Sequence, residues 1–185
     1  MSKLNYKTKS DGQLIQKSKY YNVKSFYKDS ELMDMFLRLK ANVCDLNPAL
    51  VTKCITGTEQ DFILLMNRAK DFIESMFPKT GLEEKNILLE MFRECVFGYY
   101  VLTPLIVAKD VSDIKVLDFD HIVVKANGER YVTDIRFSSE EDYKSWYERI
   151  HRIQKLGRTE EFALGHSTDR KGVDTFYLRI DVQHA

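Results

Sequence analysis

IKVLDFDHIVVKANGERYVTDIRF, residues 114–137, is the stretch on which the fold turns. Ile114 to Leu117, His121 to Lys125 and Arg130 to Phe137 are rich in β-branched and aromatic residues and separated by turn chemistry, which predicts three strands. Asn127-Gly128 supplies the positive φ values of a tight hairpin loop and is the strongest local signal in the chain. Along the third strand Tyr131, Thr133, Ile135 and Phe137 alternate with Arg130, Val132, Asp134 and Arg136, so one face is built for burial. Asp118, Asp120 and His121 cluster at a turn, where short polar side chains satisfy the turn backbone.

Downstream the period changes from strand to helix. Ser138 and Glu141 cap a segment in which Tyr143, Trp146, Ile150 and Ile153 repeat at helical spacing, with Gly157 at the left-handed C-terminal cap position. Trp146 is expected to anchor this helix against the sheet. Glu140, Glu141 and Asp142 complement the dipole in its first turn and need no catalytic role. Residues 158–174 read as a polar loop, and Thr175 to Val182 alternates as a last strand.

Upstream, three helices are expected. Leu32, Met35, Phe36, Leu39 and Val43 share a face until Asn47-Pro48 closes the first. Thr58 and Asp61 open a second, which carries an apolar stripe from Phe62 to Met76. Thr80 and Glu83 form a capping box for a third, which runs towards Pro104. Residues 1–28 hold seven lysines against Asp11 alone, with no sustained period, and read as a basic flexible arm. The expected fold is therefore α+β: a helical region over 29–100 forming a small bundle of about three helices, then an α+β portion over 101–185 with a small antiparallel sheet packed against helices.

The 185 residues are enough for a real core, with 44% hydrophobic content. Lys plus Arg equals Asp plus Glu at 28 each, which argues against a global attraction to nucleic acid or to an anionic membrane. The Lys/Tyr-rich arm leaves a local nucleic-acid contact as a minor alternative. Cys44, Cys54 and Cys95 are widely spaced and read as reduced thiols. No stretch approaches the roughly 20 apolar residues of a transmembrane segment, and the N-terminus lacks a signal-peptide core, so a cytoplasmic location is expected.

No phosphate loop, nucleophile elbow, HExxH helix, CxxC pair or calcium loop is present, so no catalytic residue is assigned. His121, His151, His166 and His184 are scattered, and no metal site is expected. Arg136, Arg149, Arg152 and Arg179 lie in the second half, where a guanidinium could grip phosphate or carboxylate.

Residues 100–155 bring these pieces into an order. Thr103-Pro104-Leu105, Val111-Ser112-Asp113-Ile114, the strand at Ile122 to Lys125, Gly128-Glu129-Arg130, Phe137 and Arg149-Ile150 follow one another as in a known family. The segment resembles the N-terminal domain of the traffic ATPases of type II and type IV secretion, particularly the CpaF-like and TadA-like motors of pili and conjugation. Phe176 to Ile180 looks like that domain's last strand.

The resemblance implies a piece cut at a domain boundary, or a natural fragment, of a hexameric ATPase. ATP and Mg belong to the absent motor domain, and this part needs no cofactor of its own. It implies as partners the chain's own motor domain, neighbouring subunits and the inner-membrane platform proteins, at the inner face of the membrane. It also implies that Arg149, Arg179 and Arg136 approach the nucleotide phosphates from the N-domain side. The alternative is a free-standing protein-interaction module.

Overall fold

The structure, a computed structural model, describes residues 20–155 together with the backbone segments Tyr6–Thr8, Leu14–Gln16, Ala163–Leu164 and Leu178–Val182; side chains are described over residues 20–149. The chain is α+β and divides into two compact units: 1–23, 105–140 and 161–185 form a sheet unit, and 24–104 with 141–160 form a helical unit. No helix among the described residues is long and apolar enough to cross a membrane.

In the sheet unit the strands are β1 (Tyr6–Thr8), β2 (Leu14–Gln16), β3 (Tyr20–Tyr21), β4 (Val111–Asp118), β5 (His121–Ala126), β6 (Glu129–Thr133), β7 (Ala163–Leu164) and β8 (Leu178–Val182). β1 and β2 pair antiparallel by themselves, and the others form one sheet in the order β3-β6-β5-β4-β8-β7. β4, β5 and β6 are the expected antiparallel meander, joined through Asn127 (φ 51°) and Gly128 (φ 81°). The loop is tied down where the Asn127 amide donates to the Asp110 carbonyl at 3.1 Å.

The sheet as a whole is mixed, which corrects the expected antiparallel sheet. β8 runs parallel to β4, and β3 runs parallel to β6. After β6 the chain passes through α6 and β7 before β8, and β7 pairs antiparallel with β8 at the sheet's far edge. Ile114, Val116, Ile122, Val124 and Thr133 are buried on one side of the pleat. The third strand stops at Thr133, four residues short of the expected Phe137, although Ile135 and Phe137 stay buried and the Phe137 amide donates to the Phe119 carbonyl at 2.7 Å. Tyr21 pins the edge strand: its hydroxyl donates to Asp110 Oδ1 at 2.7 Å and its ring meets Tyr131 edge-on.

The helical unit contains α1 (Ser30–Lys40), α2 (Pro48–Thr56), α3 (Glu59–Met76), α4 (Leu82–Phe97) and α6 (Glu140–Lys155); the short α5 (Thr103–Val107) spans the sequence boundary between units. Asp29 starts α1 by accepting from the Glu31 and Leu32 amides, and Leu32, Phe36 and Leu39 follow as its buried stripe. α1 then widens into a π-helical turn over Ala41–Asp45, which faces Val43 and Cys44 inward. Pro48 does not end the segment as expected but begins α2, because proline at the first helical position gives up an amide that has no partner there.

The expected capping box of α3, Thr58 with Asp61, is present. The one expected for α4 is not: Gly81 is the cap, and the Thr80 hydroxyl turns instead to the Met35 sulfur at 3.8 Å. The expected Gly157 cap, the loop over 158–174 and the first residues of the last strand lie outside the described residues, apart from β7.

Gly128 is held at a left-handed φ, while an added Cβ there would meet nothing within 4 Å. A Gly128→Ala variant should therefore lose about 1 kcal/mol from backbone strain alone. Urea unfolding followed by circular dichroism measures it, and an unchanged midpoint would show that the loop relaxes to another turn type.

Candidate functional site

The side chains with the most unusual surroundings are gathered at the C-terminal end of α4. A helix leaves its last four carbonyls without intrahelical partners. Two of the groups exposed in this way, the carbonyls of Cys95 and Gly98, are met by donors from α6: Arg149 Nη2 reaches Cys95 O at 3.1 Å and Trp146 Nε1 reaches Gly98 O at 3.2 Å. Arg149 Nη1 also donates to Ser145 Oγ at 2.7 Å. Trp146, expected against the sheet, is thus fully buried with its indole nitrogen committed inside the helical unit.

One turn earlier, Asp142 accepts from the Tyr100 hydroxyl at 2.9 Å and pairs with Lys40 Nζ at 3.4 Å. Lys40 also reaches Asp45 at 3.2 Å. Asp142 is 4% exposed and Lys40 7%, so this ion pair is withdrawn from water. Burial and the pair with Lys40 give Asp142 a larger role than the expected complement to the helix dipole. Tyr100 has φ 50°, the left-handed region that a bulky residue rarely occupies, and is fully buried against the rings of Tyr27 (5.3 Å) and Phe36 (5.6 Å). A strained backbone persists only where its surroundings over-determine it, as these do.

The electrostatics of this cluster oppose nucleophilic chemistry. Burial pushes the Cys95 thiol up to about 12, the Arg149 guanidinium pulling the other way, and burial raises Cys44 further. Tyr27 and Tyr100 are raised by burial and by the carboxylates beside them. For Lys40 burial pulls down, but Asp142, Cys95 and Asp45 together raise it, so it stays charged. Thiols and phenols held neutral and an ammonium held charged build a scaffold, not a proton-transfer site. A cleft of about 320 Å³ opens beside the cluster, lined by Cys44, Asp45, Val51, Thr52, Ser145 and Arg149 among others. Among the described residues no group of His, Cys, Asp and Glu could hold a metal ion.

The three arginines singled out from the sequence fall in both units. Arg149 is half-buried in the helical unit with both terminal nitrogens engaged. Arg136 is exposed in the sheet unit, just past β6. Arg179 lies on β8, with its backbone opposite Asp113 of β4. Sequence reasoning missed Lys40, Tyr100 and Asp142. The one available signal was the spacing of Asp142, Trp146 and Arg149 at i, i+4 and i+7, which sets three hydrogen-bonding groups on one helical stripe.

The sheet unit offers a second surface. On the side of the pleat away from the buried residues, Asp113, Lys125 and Arg130 form one cross-strand row, and Lys115, Val123, Val132 and Tyr20 the next. Lys115, Lys125 and Arg130 are exposed, Tyr20 is 55% exposed, and a hollow of about 500 Å³ lies over Asp113, Leu117, Val123 and the three cations. No protein-family model matches the chain, and no curated protein matches it in sequence.

Two outcomes follow for the helical unit. Arg149→Ala should destabilise it by about 2 kcal/mol, as expected when a charged donor to a buried carbonyl is removed, with a lower thermal midpoint and native-like circular dichroism at low temperature. A variant as stable as the parent would remove the clamp. Burial raises the Glu94 carboxyl, against the Tyr27 hydroxyl that donates to it at 2.7 Å. The folded state thus holds the proton more tightly than the unfolded state, so stability is greatest below the unfolded carboxylate range and falls as pH rises to the folded value. Glu94→Gln should flatten that slope in chemical denaturation at a series of pH values; an unchanged slope would assign it to another group.

Proposed function

We propose that the chain is the N-terminal assembly and regulatory part of a hexameric ATPase that powers type II or type IV secretion, pilus assembly or conjugation, and that it hydrolyses no ATP by itself. The observation that carries this reading is the order of elements: the string from Thr103 to Ile150 runs through α5, a three-strand meander and α6, and the chain then returns as a strand parallel to the first of the meander. In this reading the sheet unit faces the nucleotide of a motor domain. ATP and Mg are bound by that motor domain, and the assembly works at the inner face of the membrane with the platform proteins. Arg136 and Arg179 are the residues left to approach phosphate, because Arg149 is held by Cys95 and Ser145.

The test joins these residues to the motor encoded downstream. The joined protein should form hexamers and hydrolyse ATP, and the 185 residues alone should do neither. Arg136→Ala or Arg179→Ala should lower kcat by about a hundredfold with folding intact, the usual loss when a donor to transition-state charge is removed. Unchanged rates in both variants would remove the phosphate contacts. A stop codon directly after Ala185 would remove the motor reading in favour of a free-standing interaction module.

A further inference from the structure

We infer that the open face of the sheet binds single-stranded nucleic acid, with Lys125 and Arg130 holding backbone phosphates and Tyr20 with the Val123–Val132 row receiving bases. This goes beyond the proposed motor role and does not depend on it. The first observation is an unfavourable pairing: Lys125 and Arg130 stand directly opposite each other across β5 and β6. Like charges in that position repel and cost stability. Both are exposed, and among the described residues neither has an ion-pair partner, although Asp113 stands opposite Lys125 on the other side, leaving the row of three with one excess positive charge. An anion seated between them would turn the repulsion into attraction.

The second observation is the arrangement around that pair. The neighbouring row on the same face starts at the exposed Lys115 and continues through Val123 and Val132 to the exposed ring of Tyr20. The two rows lie two residues apart along the strands, roughly 7 Å. Two adjacent cations in one row, beside a row whose far end is apolar and aromatic, suit a polymer that alternates charged linkages with flat bases, since sequence-tolerant binding of single strands combines phosphate pairing with base stacking. A flat lipid surface would meet the protruding lysines but not the hollow of about 500 Å³ between them.

The third observation is that β3 pairs with β6, the strand of Arg130, which holds the exposed Tyr20 opposite Val132, two residues along that strand from Arg130.

The test is fluorescence anisotropy of the full chain with a labelled single-stranded oligonucleotide of about 20 nucleotides, titrated across a series of salt concentrations. Binding should weaken as salt rises. Lys125→Glu with Arg130→Glu should weaken it at least tenfold and lower the slope of log affinity against log salt by about 0.7 for each phosphate that is no longer neutralised. The neutral pair Lys125→Gln with Arg130→Gln should fall between, and Tyr20→Ala should weaken binding without changing the salt slope. Circular dichroism checks that each variant is folded. No binding at about 50 mM salt, affinity untouched by the double reversal, or binding of phosphatidylserine vesicles or polyglutamate in place of the oligonucleotide each overturns the inference.

Discussion

The helical unit depends on how the open end of α4 is satisfied. Its terminal carbonyls lie in a region where water is largely excluded, and a buried carbonyl without a donor costs as much as a broken hydrogen bond. α6 answers this with one stripe of side chains running antiparallel to the segment it covers: Asp142 meets Tyr100, Trp146 meets Gly98 and Arg149 meets Cys95. These contacts join residues more than 40 positions apart in sequence. They explain why a helix that follows the sheet strands in sequence belongs with the helices that precede them.

The same contacts account for the two costly features nearby. A tyrosine in the left-handed region gives up roughly 1 to 3 kcal/mol, and Tyr100 is held there by two aromatic neighbours and a buried hydrogen bond. Withdrawing Lys40 and Asp142 from water is also costly, and such a pair need not stabilise a fold relative to an apolar one. What it can do is fix one arrangement, since displacing α6 would strand Asp142 without its cation while Lys40 kept only Asp45. The π-helical turn at Ala41–Asp45 serves this geometry as well, because it immediately follows Lys40 and supplies Asp45, the second carboxylate on the ammonium.

The parts of the fold that are legible in the sequence are those whose signal is local. The Asn127-Gly128 hairpin, the alternation of β4 and β5, the Thr58–Asp61 box and the stripe of α3 each depend on residues a few positions apart. What the sequence hides is set by distant partners. Pro48 ends or begins a helix with equal local plausibility, and burial of Val51 and Cys54 selects the second. Nothing around Gly98 marks Tyr100 as the left-handed residue, since the glycine itself is the expected one. The parallel placement of β8 is set by pairing with β4, more than 60 residues away, and not by its own alternation. The arginines show the same limit: the family resemblance suggests phosphate for Arg136, Arg149 and Arg179 alike, and only the structure distinguishes Arg149, spent on a carbonyl, from Arg136, open to solvent.

Both proposed activities belong to the sheet unit, whereas the buried polar network at the end of α4 belongs to the helical unit. In the helical unit that network holds a fixed frame. That frame is probed most directly by a double-mutant cycle on Tyr100→Phe and Asp142→Asn, measured by equilibrium unfolding. If α6 is locked as described, the two sites should be coupled by at least about 1 kcal/mol. Stability changes that add to within about 0.3 kcal/mol would refute the lock, because residues joined by a buried hydrogen bond do not behave independently.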